Sequence, residues 1–250
     1  MDAPLNKLLV LLLCLAFPAG TAIANQTSQQ TIMVFGATGK VGSQVVNEAL
    51  QRGHRVNAVS RDPSRIDDAA EGLNAVEGNL LDNETLADLI KDQDVIVLSV
   101  RGVFPDAESG HDTVVRQGVE NIIEAMRKNG QETQRLVHVG GSGTLITARG
   151  KRFADTIPKI FIPKELEREI EAQILALDYL KSVDDARWTY VTPAENFTNG
   201  ERTGEFRIGG DKMIEDDLGR SRISRADFAV AILNEIENPE HENQRFSVAY

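Results

Sequence analysis

An α/β fold, doubly wound about a mostly parallel sheet with helices on both faces and a small C-terminal cap, is predicted by three features of the chain. Short apolar runs recur at 31–35, 56–59, 94–100, 135–139 and 188–191. They are continuous rather than alternating, as expected of strands buried on both faces. Between them lie stretches with helical spacing, such as Val115, Val119, Ile122, Ile123 and Met126.

The elements follow in order. Residues 31–35 form a first strand that opens into glycines, and a helix over 43–51 carries Val45, Val46, Ala49 and Leu50 on one side. Gly53 ends that helix, 56–59 is the second strand, and 74–76 is a short third. Asn83 is expected to cap a helix over 84–91, ahead of the strongest strand, 94–100. A helix over 112–128, a strand at 135–139, a long helix from Pro163 to about Leu180 and a strand at 188–191 complete the alternation. The final 50 or so residues are less regular, with a strand at 205–208, a helix over 225–236 and a strand at 246–249.

Residues 1–24 do not fit this scheme. Leu8 to Phe17 is a run of ten apolar residues, broken by Pro18 and Gly20 and followed by the small-x-small triplet Ala22-Ile23-Ala24. This is the pattern of a signal peptide cut after Ala24, leaving 25–250 as a single domain. Ten apolar residues are too few to span a bilayer, so no stable transmembrane segment is expected after its removal. The expected location is the periplasm or the exterior, with a leader-tethered membrane protein as the alternative. The single cysteine, Cys14, lies within the leader, so the remainder has no disulfide and no thiolate metal site. Acylation of Cys14 is a further route to a tether.

The net charge of −11 gives the chain no electrostatic reason to hold a phosphate backbone, and no nucleic-acid partner is expected. The acidic pairs Asp67-Asp68, Asp184-Asp185 and Asp216-Asp217 lack ligand spacing, so no metal is expected either.

The sharpest chemical signal is Gly36-Ala37-Thr38-Gly39-Lys40-Val41-Gly42, placed between a strand and an amphipathic helix. Gly36 permits a tight turn, Gly39 lets backbone approach a pyrophosphate, and Gly42 lets helix and strand pack closely. The amides from Thr38 through Lys40 to Val41 would face the anion at the positive end of the helix. This makes the fold Rossmann-like and the expected partner a dinucleotide. After the second strand stand Ser60-Arg61-Asp62-Pro63, where an acidic residue would favour NAD. Arg61 and Ser60 instead suit a 2′-phosphate, which favours NADP with NAD possible. Asp62 is the competing feature, because it can neutralise Arg61 or serve the ribose.

These motifs, with Gly78-Asn79-Leu80-Leu81-Asp82, Val137-His138-Val139-Gly140-Gly141-Ser142, Thr192-Pro193-Ala194 and Ile223-Ser224-Arg225-Ala226-Asp227-Phe228-Ala229, resemble the atypical short-chain dehydrogenase-like proteins. The resemblance is to the NAD(P)H-binding, NmrA-like branch, which includes flavin and biliverdin reductase-type enzymes. It implies that Asn79 and Leu80 lie beside adenine and that Ser99 and Val100 end the fourth strand near the ribose. It also implies that Ser142 lies near nicotinamide and substrate, and that Pro193 begins the loop covering the nicotinamide. Leu80 and Val100 have a competing reading as core.

The Tyr-x-x-x-Lys pair of the wider family is missing. Ile160 stands four residues before Lys164, and Tyr179, Tyr190 and Tyr250 have no lysine at that spacing. A tyrosine-dependent alcohol dehydrogenase is therefore disfavoured. Reduction of a flavin-like, quinone or other conjugated small substrate remains open, because the cofactor carries that chemistry and the protein orients it. His111, in the loop after the fourth strand, and Ser142 are the candidate catalytic residues. The alternative is a non-catalytic NADP-binding redox sensor or assembly factor.

Overall fold

The structure, a computed structural model, describes residues 28–67, 69–102, 104, 108–130 and 132–250. The expected leader and its cleavage position lie outside the described residues.

Eight strands form one sheet. Its first half is β1 (Thr31–Phe35), β2 (Arg55–Ser60), β3 (Leu73–Glu77) and β4 (Val95–Leu98). The second half adds β5 (Arg135–Val139), β6 (Arg187–Pro193), β8 (Arg207–Gly209) and β10 (Gln244–Ala249). The spatial order is β3-β2-β1-β4-β5-β6-β10-β8, with every pairing parallel except β10 with β8. A separate parallel pair joins β7 (Asn196–Thr198) to β9 (Arg222–Ser224).

Strand alternation divides the core into two layers. Ile32 and Val34 of β1 pack with Val97, Val137 and Val191 under α1 (Gly42–Gln51) and α5 (Arg225–Glu237). Met33 and Phe35 face the other way, with Ile96, Leu98, Leu136 and Trp188. That layer lies under α2 (Leu86–Ile90), α3 (Val114–Asn129) and α4 (Lys164–Lys181).

The predicted alternation stands, with two local differences. The helix expected over 84–91 is the shorter α2, and Asn83 does not cap it. Asp82 collects the amides instead, accepting from Glu84 N at 3.1 Å and from the Thr85 hydroxyl at 2.8 Å. The C-terminal segment is also less of a cap than its irregular sequence implies. β10 lies beside β6 in the main sheet and carries β8 on its outer edge.

A buried carboxylate secures this C-terminal segment. Asp227, wholly buried at the start of α5, accepts from Thr203 N and Gly204 N at 2.7 Å each and from Tyr250 Oη at 2.7 Å. Those bonds hold its carboxyl below the usual range against the opposing effect of burial. Ser224 caps the same helix through Asp227 N at 2.9 Å.

Candidate functional site

The order of the sheet reverses between β1 and β4, and ligands of open α/β sheets bind outside the carboxyl ends of strands at such a point. Gly36, Gly39, Gly42, Ser99 and Val100 meet there. Gly36, directly after β1, has φ +81°, and a Cβ on it would lie 2.1 Å from Ser99 O and 3.3 Å from the Val100 side chain. The ends of β1 and β4 thus touch at a position that only glycine can fill. A Cβ on Gly42 would lie 2.1 Å from Gly36 O, which is how closely α1 approaches the turn.

The turn is closed by Gly39 N donating to Gly36 O at 2.9 Å. Gly39 therefore spends its amide internally, a correction to the expectation that it joins its neighbours in facing an anion. The N–H groups of Thr38, Lys40, Val41 and Gly42 have no protein acceptor among the described residues. α1 has no side-chain cap and no acidic residue in its first turn. A backbone cradle with free amides at an uncapped helix N-terminus fits a pyrophosphate.

Asp62 does not neutralise Arg61. Its Oδ1 accepts from Ser64 N at 3.2 Å and Ser64 Oγ at 2.6 Å, capping the turn at Pro63–Arg65. Ser60 Oγ donates to Asp62 O at 2.9 Å. Arg61 is exposed, and its guanidinium has no partner among the described residues. The local hydrogen bonds thus order the turn while leaving its cation free.

Asn79 is exposed, with Oδ1 accepting from Leu81 N at 3.1 Å. Leu80 is buried, and a Cβ on Gly118 of α3 would lie 2.3 Å from its Cδ2. Its side chain therefore belongs to the core layer beneath α3. Its carbonyl accepts from Asn121 Nδ2 at 3.2 Å.

Ser142 follows β5, and Pro193 ends β6 in register with Val248. Pro193 is thus still within the sheet rather than in a loop. His111 is exposed in the connection from β4 to α3. That connection is tied to α4 by Gly110 N donating to Glu171 Oε2 at 2.8 Å and by an Arg101–Glu169 ion pair. His111 and Ser142 therefore flank α4 from its two neighbouring strand ends.

Beneath Ser142 lies a cluster that spacing rules did not reveal. Tyr190 Oη donates to Gln173 Oε1 at 2.9 Å and accepts from Gly141 N at 3.4 Å. His138 Nε2 meets the same Gln173 Oε1 at 3.0 Å. His138 and Tyr190 are register partners on β5 and β6, and Gln173 reaches them from α4. Burial pulls the His138 imidazole down to about 4 and pushes the Tyr190 phenol above its ordinary range, so both are neutral near pH 7. With Nε2–H donated to Gln173, His138 Nδ1 is left buried without a partner among the described residues. Through Tyr190 Oη and Gly141 N the cluster braces the Gly140–Ser142 turn. Gly140, directly after β5, leaves room for this cluster, since a Cβ there would lie 2.0 Å from the Tyr190 ring.

Among the described residues no group of three or more His, Cys, Asp or Glu side chains can hold a metal ion. No helix among them is long and apolar enough to cross a membrane.

The model of a family described as NAD(P)H-binding matches residues 36–239. The chain belongs to the NAD(P)H-binding family. Among solved structures of similar chains is a Burkholderia pseudomallei protein described as exported, 35% identical at TM-score 0.74, covering 89% of this chain and 100% of that one. A Bacteroides thetaiotaomicron protein described as an epimerase is 31% identical at TM-score 0.79, over 89% and 97% of the two chains. A Streptococcus pneumoniae protein described as an NADH-flavin reductase is 28% identical at TM-score 0.70, over 88% and 99%. As an NAD(P)H-binding protein the chain would hold the pyrophosphate at the 36–42 turn, with Ser60 and Arg61 at the end of β2 toward the adenosine half. A bound reduced nicotinamide supplies hydride.

Proposed function

We propose that this protein is an NADPH-dependent reductase acting on a flavin-like, quinone or other conjugated acceptor. The free Arg61 guanidinium carries the cofactor choice: Asp62 is committed to its own turn, so Arg61 can pair with a 2′-phosphate. The acceptor class follows from what the cleft lacks. No lysine stands four residues after a tyrosine, and both His138 and Tyr190 are buried and neutral. A conjugated acceptor needs no positioned base: it takes hydride from NADPH and a proton from water, leaving NADP⁺. The reductase description of the Streptococcus relative agrees with this reading.

We further propose export. The leader-like segment ending in Ala22-Ile23-Ala24 and the description of the Burkholderia relative both support a periplasmic or secreted protein whose native chain begins at Asn25. Intact-mass measurement on protein from its own host tests this, and a chain retaining Met1 or carrying lipid on Cys14 would replace free export with tethering.

The function is tested by following reduced-nicotinamide absorbance with a panel of flavins and quinones. Steady oxidation of NADPH is expected with at least one acceptor. Tight NADPH binding with no turnover on any of them would point to the sensor or assembly factor instead.

A further inference from the structure

The backbone of the Gly140–Ser142 turn is largely committed. Gly140 N donates to Val191 O at 2.8 Å, and Gly141 O accepts from Thr144 N at 3.1 Å and from Thr144 Oγ1 at 2.8 Å. Ser142 O accepts from Leu145 N, and Gly141 N is taken by Tyr190 Oη. Two side-chain groups are left over at this turn. Neither Ser142 Oγ nor the side-chain nitrogen of Gln173 has a partner among the described residues. Gln173 is partly exposed, and its nitrogen is open to solvent. The carboxamide lies along the turn, since a Cβ on Gly141 would be 3.2 Å from Gln173 Cγ and 3.8 Å from its Cδ. Gly110 packs on the same stretch of α4, where a Cβ would lie 2.6 Å from Ala172 N. Gln173 thus stands between the connection after β4 and the turn after β5.

The direction of the amide is fixed from beneath. Its Oε1 accepts from Tyr190 Oη at 2.9 Å and from His138 Nε2 at 3.0 Å. An amide turned the other way would donate to His138 Nε2 and drive the single imidazole proton onto Nδ1. That would bury an N–H without an acceptor, whereas the observed arrangement leaves only a lone pair unpaired. Two buried donors hold Oε1 inward and Nε2 outward.

We propose that Gln173 Nε2 donates to the carbonyl oxygen of a conjugated acceptor, which makes Gln173 a substrate-binding residue that selects the oxidised, carbonyl form. This rests on the reductase reading. With the pyrophosphate at 36–42 and the adenosine half toward β2, the nicotinamide extends the other way along the sheet, toward the ends of β4 and β5. A carbonyl oxygen offers lone pairs and matches an N–H, whereas a hydroxyl giving up its proton needs an acceptor that an amide nitrogen does not provide. In the step, the acceptor takes hydride with its two electrons from NADPH, charge gathers on the oxygen held by Gln173, and water protonates it. NADP⁺, the reduced acceptor and hydroxide remain, and the amide keeps its own protons. A donor fixed before the reaction stabilises that charge without reorganising.

Calorimetry on the NADP⁺-loaded protein, in which no reduction can occur, tests this with 1,4-naphthoquinone and with 1,4-dihydroxynaphthalene kept anaerobic. Gln173→Glu is the decisive variant at mildly alkaline pH. One carboxylate oxygen can still accept from Tyr190 and His138, while the other replaces the outward donor by an acceptor. Wild type is expected to favour the quinone. Gln173→Glu should lose about tenfold in quinone affinity and gain for the dihydroxy compound. Gln173→Met leaves Tyr190 Oη its bond to the backbone carbonyl of residue 173, at 3.1 Å, and should lose quinone affinity without that gain. A purely structural role would not reverse a preference. No quinone binding by wild type, equal quinone affinity in all three proteins, or loss without reversal in Gln173→Glu overturns the proposal. NADPH affinity should be the same in all three, and NADPH oxidation with the acceptor panel should fall about a hundredfold in Gln173→Glu. Turnover by wild type that this variant matches removes Gln173 and keeps the reductase. Reversed binding preference without turnover in any protein keeps Gln173 and removes the reductase.

Discussion

The carboxyl ends of β1, β2 and β4 and those of β5 and β6 lie along one edge of the parallel sheet, yet they are built by different means. The first half is made of backbone. Gly36, Gly39 and Gly42 place main chain against main chain, and the free groups are amides together with one arginine. The second half is made of side chains, with His138, Gln173 and Tyr190 brought from three elements to support the turn at Ser142. A backbone cradle can hold a pyrophosphate common to many cofactors, whereas a side-chain floor can be altered to suit a substrate. The contrast agrees with relatives of the same fold being described as an epimerase and as a flavin reductase.

The largest expected effect is in the backbone half. Gly39→Val would put a side chain where the pyrophosphate must approach, with its Cβ 3.0 Å from Gly36 O. Affinity for NADPH and NADH should fall together by roughly a thousandfold, about 4 kcal/mol, while circular dichroism shows the sheet intact. Unchanged calorimetric affinity in a folded variant would remove the dinucleotide site from this turn.

In the side-chain half, His138 should give a distinct pH signature. Its pKa falls from an ordinary 6.5 to about 4 on folding, so the unfolded chain takes up the proton first. The stability this group contributes is complete above about 6.5 and is lost as pH falls toward 4. The loss approaches about 3 kcal/mol by conversion of the shift. Denaturant titrations between these limits should show a steeper slope in wild type than in His138→Leu, whose remaining slope comes from ion-paired carboxylates such as Glu48 and Glu242, held below an ordinary 4.5. The folded pKa of Asp227 lies below 3.8, so its contribution is lost at lower pH, outside that window. Tyr190→Phe is a smaller change. It deprives Gly141 N of its acceptor and Gln173 of one donor, and should cost about 2 kcal/mol of stability with dinucleotide affinity unchanged.

The same division explains what could be read from the sequence. A glycine spacing is local, so the turn at Gly36 and its place between β1 and α1 were legible, as were the alternating strands and helices. Residues joined only by the fold were not. Gln173 is one polar residue on the long, amphipathic α4, and nothing in its neighbourhood announces that it bonds residues on β5 and β6. Tyr190 was set aside because no lysine follows at four residues, a rule about helices that says nothing of a strand tyrosine. The roles of Asp62 and Asp82 were missed or left open because turn capping depends on local dihedral angles that neighbouring Asn and Asp residues satisfy almost equally well. β10 was harder still, since its partner β6 lies some 50 residues earlier.

The cofactor choice joins the two halves, since it decides which reduced nicotinamide would reach the Ser142 floor. The decisive measurement is a pair of calorimetric titrations, NADPH and NADH, on wild type and on Arg61→Ala. Wild type should prefer NADPH. The variant should lose about tenfold in NADPH affinity, the lower end of a charged hydrogen-bonding partner, with little change for NADH. Equal weakening toward both dinucleotides, or none toward NADPH, would contradict the reading of Arg61 as the group that meets the 2′-phosphate.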